Sequence, residues 1–460
     1  MTYETTRRYA LRTSVSRDGT SIVLGASITG LCAARVLSEI FDEVIIIERD
    51  EIESSAEYEV RDGVPQGNHL HVLQDGGRKT LEDLFPGFSE SLLSNGGLLV
   101  NYGTEFTVHD RGHKLPPGET QTELYTATRS LYEQVIRNRV LSRDNVTVQD
   151  QTQFTLYTTD NQAESVIGVR VTPRQKSSVA STDDIPETKT IPASLVVDAT
   201  GRTSKTPKWL ANNGYSRPKT DTVHIGVSYA SVLVDRPTER RDGIAISPSQ
   251  QNYRGGGVIP VENGKWLVTI FGMHEDEIPK RQCEVKTFAE TLSSPWIANL
   301  LSEHTVSSEV SVYQFPASIR RRYTELNEFP ENLVVIGDAI TSQNPLYGQG
   351  MSLSAFQTVH LHHTLAEESS RPIGQRFFER VSPLLSRTWT ITTATDHQYP
   401  ETTGPVPTGS SVFNWFTRRV LQTAAEDPAV VSTYLQVHSL QSPPTKFLSP
   451  RILSKVLAPS

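Results

Sequence analysis

Unbroken apolar runs and helical spacings alternate near the start of the chain. Residues 22–24 form a short apolar strand, 31–37 repeat apolar positions at helical intervals, and 44–47 are a second continuous apolar run. This order predicts two parallel strands joined by a crossover helix. A helix is predicted near 131–140, strands near 147–156 and 166–171, and a buried strand at 195–197. The stretch 172–190, rich in Ser, Thr, Asp and Lys, predicts a surface loop. From about residue 216 the character changes to alternating strands, among them 225–234, 257–261 and 265–271, with Asn263-Gly264 as a hairpin turn between the last two. Near Leu333 a continuous apolar strand and a helix return, as though a first domain resumes after an insertion. Beyond about 405, three short helical patterns are broken by Pro428, Pro443 and Pro450.

Composition narrows the class. The 460 residues are 36% hydrophobic and 21% charged, ordinary for a soluble globular enzyme. A net charge of −8 and a pI of about 5.9 supply no positive field for phosphate backbones, which argues against nucleic-acid binding. Two cysteines, Cys32 and Cys283, cannot build a disulfide framework or a thiolate metal site, so a reducing cytoplasm is the expected location. Arg7-Arg8 is followed by no apolar stretch, so no export signal is read, and no run reaches the roughly 20 apolar residues of a membrane span.

The chemistry gathers at two turns. In "GASITG", Gly25 suits the tight turn after the first strand and Gly30 suits close helix packing, while Ser27 replaces the usual middle glycine. The following helix N-terminus offers N–H groups and a positive dipole to a pyrophosphate. Glu48 ends the second strand about 20 residues on, where an acid binds ribose hydroxyls; together these predict an adenosine diphosphate group. In "IGDAITSQNPLYGQGMSLS", Asp338 offers a carboxylate to sugar-type hydroxyls, and Pro345, Gly348 and Gly350 keep a loop whose backbone can lie against a flat ring. The helix opening near Gly348 to Met351 aims its positive end at a flavin ring, with Gly337 and Gln349 as neighbouring candidates.

With these turns, "VVDATGRTS" at 196–204 and "VIGDA" at 335–339, the chain resembles the single-component FAD-dependent monooxygenases of the aromatic-hydroxylase type. "RDGVPQGNHLHVL", "GGVIPVENGKWLVTIFG", "FPASIRRRY" and "NPLYGQGMSLSA" are similar to the branch of polyether epoxidases of monensin and lasalocid biosynthesis, distant relatives of squalene epoxidase. The resemblance runs from about residue 20 to the C-terminus; Ser27 and Gln343, where the epoxidases usually have Phe, depart from it. It implies an α/β fold with a Rossmann-type, glutathione-reductase-like FAD domain, an inserted mainly antiparallel β substrate domain and a helical C-terminal tail. The expected divisions are a flexible tail 1–18, the FAD-binding domain 19–215 with its return segment 326–404, the substrate domain 216–325 and the helical segment 405–460. It further implies that Arg129 reaches the flavin nucleotide, that Asp338 holds the ribityl hydroxyls, that Asp198 and Gly201 shape the turn near the pyrophosphate, and that Arg61 and the neighbouring Arg49 are cofactor contacts.

The implied reaction is reduction of FAD by transient NAD(P)H, addition of O2 as a C4a-hydroperoxide, and epoxidation or hydroxylation of an apolar secondary metabolite. No second Gly-rich fingerprint follows a strand, so NAD(P)H has no domain of its own, and an external flavin reductase is compatible but not required. Two other readings share the FAD fold: an isoprenoid-type reductase and a redox-silent FAD binder. A flavin halogenase is disfavoured because its W-x-W-x-I-P motif is missing. His69-x-His71 has no third ligand for a metal, His360, His362 and His363 are expected on a partly solvated helix face, and Trp266 is expected in the core.

Overall fold

The computed structural model describes residues 2–9, 16–52, 60–118, 122–174 and 187–458. Five parallel strands form one sheet in the spatial order Leu333–Val335, Leu195–Asp198, Arg17–Leu24, Phe41–Ile47, Val146–Gln149. Ile22, Val23, Leu24 and Ile46 have no exposed surface, as unbroken apolar runs require when both faces of a sheet are covered. The helix Ile28–Leu37 packs on this sheet, and the helix Gly350–Leu365 packs on that helix.

An eight-stranded sheet runs Thr341–Ser342, Ser311–Arg321, Thr220–Asp235, Lys265–Gly272, Arg254–Val261, Gly243–Ile246, Phe106–Asp110, His113–Lys114. Its centre comes from the predicted insertion, but its two edges come from 106–114 and 341–342, short pieces with no period of their own. Asn263 and Gly264 have φ of +59° and +63°, the left-handed pair of a type I′ turn. Alternation then sorts the side chains: Ala230, Val232, Val268 and Ile270 face the helices Gln282–Ala289 and Trp296–Glu303, while Tyr229, Thr269 and Phe271 face the opposite way. Trp266 is fully buried, its indole N–H donating to the Asp242 carbonyl at 2.9 Å.

Several expectations are corrected. Residues 2–9 are packed, not loose: Tyr3–Thr5 form a 3-10 turn, the Tyr3 and Glu4 N–H groups donate to the Leu440 and Gln441 carbonyls, and Thr2 and Tyr9 are buried. Residues 1 and 10–15 of that segment lie outside the described residues. So do 175–186 of the predicted 172–190 loop, whose remainder includes a strand, Lys189–Pro192, paired with Val166–Pro173. His360, His362 and His363 are 5%, 1% and 5% exposed rather than partly solvated. Helices Ile28–Leu37, Asp75–Leu84 and Ile373–Asp396 surround their helix, and the N-terminal segment covers the rest, with the Tyr9 ring 4.5 Å from that of His362. Pro428 and Pro450 start the helices Pro428–His438 and Pro450–Leu457 instead of breaking them, because the first helical position needs no N–H donor. Among the described residues no helix is long and apolar enough to cross a membrane.

Candidate functional site

A cavity of about 1010 Å³ opens at the carboxyl ends of the parallel strands and extends beneath the eight-stranded sheet to the C-terminal helices. At one end lies the first turn. Gly25 has φ +99°, and a Cβ there would stand 2.9 Å from the Ala199 carbonyl oxygen. At Gly30 a Cβ would lie 1.8 Å from the Gly25 carbonyl oxygen, so the helix can sit this close only on a glycine. Ser27 departs from the glycine pattern without strain, since its φ is −86°; its hydroxyl accepts from Arg129 Nη2 at 2.7 Å.

Glu48 is 7% exposed and accepts from the Ala26 N–H at 2.7 Å and the Asp50 N–H at 3.0 Å. Arg61 Nη1 lies 3.2 Å from Glu48, and the same guanidinium donates to Glu133, which also pairs with Arg129 at 3.0 Å. Burial pushes the Glu133 carboxyl up, but Arg129 and Arg61 outweigh it and hold it below its ordinary value. Arg49 sits at the rim, its side chain 54% exposed and 3.8 Å from Asp50.

The second turn reaches the same cavity. Gly337 has φ +71°, and a Cβ there would stand 2.7 Å from Thr29, whose hydroxyl bonds that of Ser354 at 2.8 Å. These contacts clamp the two helix starts together across the sequence. Asp338 is reached by solvent through the cavity although protein surrounds it; that burial raises its carboxyl, opposed by the Ser342 hydroxyl and by Arg202, Arg129 and Arg321. Asn344 Oδ1 caps the 3-10 turn Pro345–Tyr347 by accepting the Leu346 N–H at 3.1 Å, and Gly348 leaves it with φ +62°. A Cβ on Gly350 would meet nothing within 4 Å, so the start of the Gly350–Leu365 helix opens onto free space. Gln349 Oε1 has no hydrogen-bond partner, and Met351 completes this wall.

Of the sequence-predicted residues, Gly30, Asp198 and Gly337 are not on the lining; they shape it from behind. Asp198 is buried and accepts from the Thr200 N–H at 2.9 Å, the Ser204 hydroxyl at 2.6 Å and the Thr206 hydroxyl, which fixes the turn at Gly201. Gln343 turns onto the Ile373–Asp396 helix, bonding Thr388 at 3.0 Å and Thr392 at 3.1 Å.

Sequence reasoning missed the far wall. The His69, Tyr229 and Tyr313 rings lie 5.8 to 6.5 Å from one another, and Phe271 is 6.0 Å from Tyr229. His69 Nδ1 pairs with the Ser231 hydroxyl at 2.7 Å while its Nε2 has no partner; burial pushes the ring down to about 4, so it is neutral at pH 7. The strand alternation could have exposed Tyr229 and Phe271, which fall out of phase with their apolar neighbours. Asp396, at the end of a long helix, carries no local signal.

An elongated cleft with an acid near a Gly-rich turn, a second acid, a bare helix start and an unpaired amide oxygen matches the shape and donor set of a flavin dinucleotide. The class is therefore that of a flavin-dinucleotide-binding α/β protein. The chain belongs to the FAD binding domain family, whose profile matches residues 19–371, and FAD is its cofactor. It is 33% identical over 442 residues, 91% of this chain and 89% of the relative, to Protein Rv3254 of Mycobacterium tuberculosis (strain ATCC 25618 / H37Rv). Similar solved structures include a flavoprotein/dehydrogenase from Cytophaga hutchinsonii (TM-score 0.65, 14% identity, covering 95% of this chain and 96% of that one). Another is p-nitrophenol 4-monooxygenase PnpA from Pseudomonas putida DLL-E4 (TM-score 0.57, 13% identity, covering 93% and 99%).

Proposed function

We propose that this chain is an FAD-dependent monooxygenase that uses NAD(P)H and O2 to epoxidise or hydroxylate a largely apolar secondary metabolite. One observation carries the reading: two turns some three hundred positions apart open onto one cavity, which continues into an aromatic-walled space beneath the inserted sheet. Gly25, Ser27 and Arg129 would hold the pyrophosphate, Glu48 the adenosine ribose, Asp338 the ribityl hydroxyls, and the helix start at Gly350 the pyrimidine edge of the ring. Bound FAD supplies electron uptake from NAD(P)H and activation of O2. The chain's own part is positioning and exclusion of water: Tyr229, Tyr313 and Phe271 present apolar ring surface to a substrate, and the C-terminal helices close the cavity's far end. PnpA, named a monooxygenase, shares the fold and supports this reading.

The test is anaerobic addition of NAD(P)H to the purified yellow protein, followed by 18O2 and an extract of candidate substrates. Bleaching of the flavin, its recovery on oxygen and label in a product are the expected results. Product formed without oxygen would assign a reductase instead, and a flavin that is never bleached would assign a redox-silent binder or dependence on a separate reductase, which an added flavin reductase then distinguishes.

A further inference from the structure

The C-terminal helices that close the cavity carry a second apolar face, turned outward. Among the described residues the five most exposed large apolar side chains all belong to this end of the chain: Val412 (70%), Val406 (63%), Leu448 (57%), Trp415 (53%) and Leu457 (50%). In the helix Ser410–Ala424, Val420, Leu421 and Ala424 pack in a core cluster with Phe447, Ile452 and Val456, while Val412 and Trp415, three positions apart, project from the opposite side. Phe413 and Phe416, next to them, are half-buried and line the cavity. Arg419, one turn beyond Trp415, donates to the Val456 and Ala458 carbonyls at 3.3 and 2.8 Å, which brings Leu457 to the same face. Leu448 belongs to both surfaces, since it lines the cavity and is exposed. A lone exposed apolar residue needs no explanation, but a group that includes a tryptophan marks a contact surface.

Charge selects the partner. Residues 405–460 contain Arg418, Arg419, Lys446, Arg451 and Lys455 against Glu426 and Asp427, so this end is positive on a chain whose formal net charge is −8. Lys455 is offset by Asp427, and Lys446 by Glu4 at 3.6 Å, whereas Arg418 is exposed three positions beyond Trp415. An acidic body with one basic, apolar end meets an anionic surface favourably through that end. A second copy of the chain fits less well, because a two-fold contact sets the positive face against itself.

We propose that the face built from Val412, Trp415, Leu448 and Leu457 docks peripherally on an anionic lipid membrane, the apolar side chains entering the boundary of the acyl chains and Arg418 meeting headgroup phosphates. The end of the cavity at Phe413, Phe416 and Leu448 then lies toward the acyl chains, where an apolar compound dissolved in the bilayer reaches it. That consequence rests on the monooxygenase reading for an apolar substrate; the docking does not.

The test is flotation of the FAD-loaded protein with vesicles of phosphatidylcholine alone, or of phosphatidylcholine and phosphatidylglycerol in equal parts. The parent is expected to float with the mixed vesicles and to be released as salt is raised. The double variant Val412→Glu/Trp415→Glu is expected to bind them about tenfold more weakly or worse, whereas Ile167→Glu, at an exposed apolar site on the strand Val166–Pro173, is expected to bind as the parent does. Phospholipids brominated along their acyl chains are expected to quench part of the parent's tryptophan fluorescence, and Trp415→Phe to remove that quenching, because Trp209, Trp266, Trp296 and Trp389 are buried or half-buried in the protein. No binding to either vesicle, equal binding to both, unchanged binding by a flavin-replete double variant, or quenching that survives Trp415→Phe would each overturn the proposal. So would a dimer in lipid-free solution that the double variant dissociates, which would assign the face to a second copy. Vesicle binding without any oxygen-dependent turnover would defeat the monooxygenase reading alone; turnover by a protein that binds no vesicle would defeat this inference alone.

Discussion

Single residues in this protein divide by whether their surroundings are protein or open space. Gly30 and Gly350 both lie in the first turn of a helix near the cavity, yet a Cβ on the first collides with the Gly25 backbone at 1.8 Å and one on the second meets nothing within 4 Å. Gly30→Ala is therefore expected to destabilise the apoprotein by about 3 kcal/mol, through overpacking against backbone that cannot yield. Gly350→Ala is expected to leave the apoprotein's melting temperature unchanged or slightly raised, since alanine is the better helix former, while lowering the flavin retained through gel filtration. Denaturant melts and flavin-to-protein absorbance ratios measure the two effects. Asp396 adds a pH dependence of unusual sign. Its carboxyl rises from an ordinary 3.8 to about 6 on folding, so between those values the folded chain binds more protons than the unfolded one and loses stability as pH rises. Above that window the penalty is up to about 3 kcal/mol. Asp396→Asn removes it, and its melting temperature is expected to exceed the parent's at pH 7.5 by more than at pH 5.

Elements show which local signals survive tertiary packing. The Asn263-Gly264 hairpin is legible because the two φ values it demands, +59° and +63°, are set within the turn itself. Gly264→Ala is expected to lower stability by about 1 kcal/mol with flavin content unchanged, as the turn is remote from the cavity lining. The parallel strands were legible for a similar reason: their apolar runs are too long and continuous to face water. The Gly350–Leu365 helix misleads in sequence, since three histidines suggest a polar face. Its burial depends on three helices and an N-terminal segment contributed from elsewhere, none of which a window of its own residues reports. The edge strands of the large sheet were hidden likewise, because two-residue and five-residue pieces pair only once the central strands exist.

At the scale of the whole molecule, the Arg61, Glu48, Glu133 and Arg129 network ties the second strand, the loop after it and the Arg129–Leu141 helix into one buried cluster. Side-chain exposures of 11% for Arg61, 8% for Glu48 and 6% for Glu133 leave little water to screen an orphaned charge. Arg61→Leu is expected to destabilise by about 3 kcal/mol, with an effect that added salt does little to restore, because it takes the guanidinium from buried Glu48 and leaves Glu133 with Arg129. Equilibrium unfolding at low and high ionic strength measures both. The sequence by itself determined the strand-turn-helix units and the glycine and acid positions, since turn geometry and strand burial are written in residues close along the chain. Only the tertiary structure decided that the two turns share a cavity, that Gln343 is tied to Thr388 and Thr392 of a distant helix on its wall, and that Asp396 from the end of that helix reaches Tyr347 and Asn344 there. Those facts depend on contacts between segments far apart in the chain, and pairing across such distances leaves no periodicity in either partner.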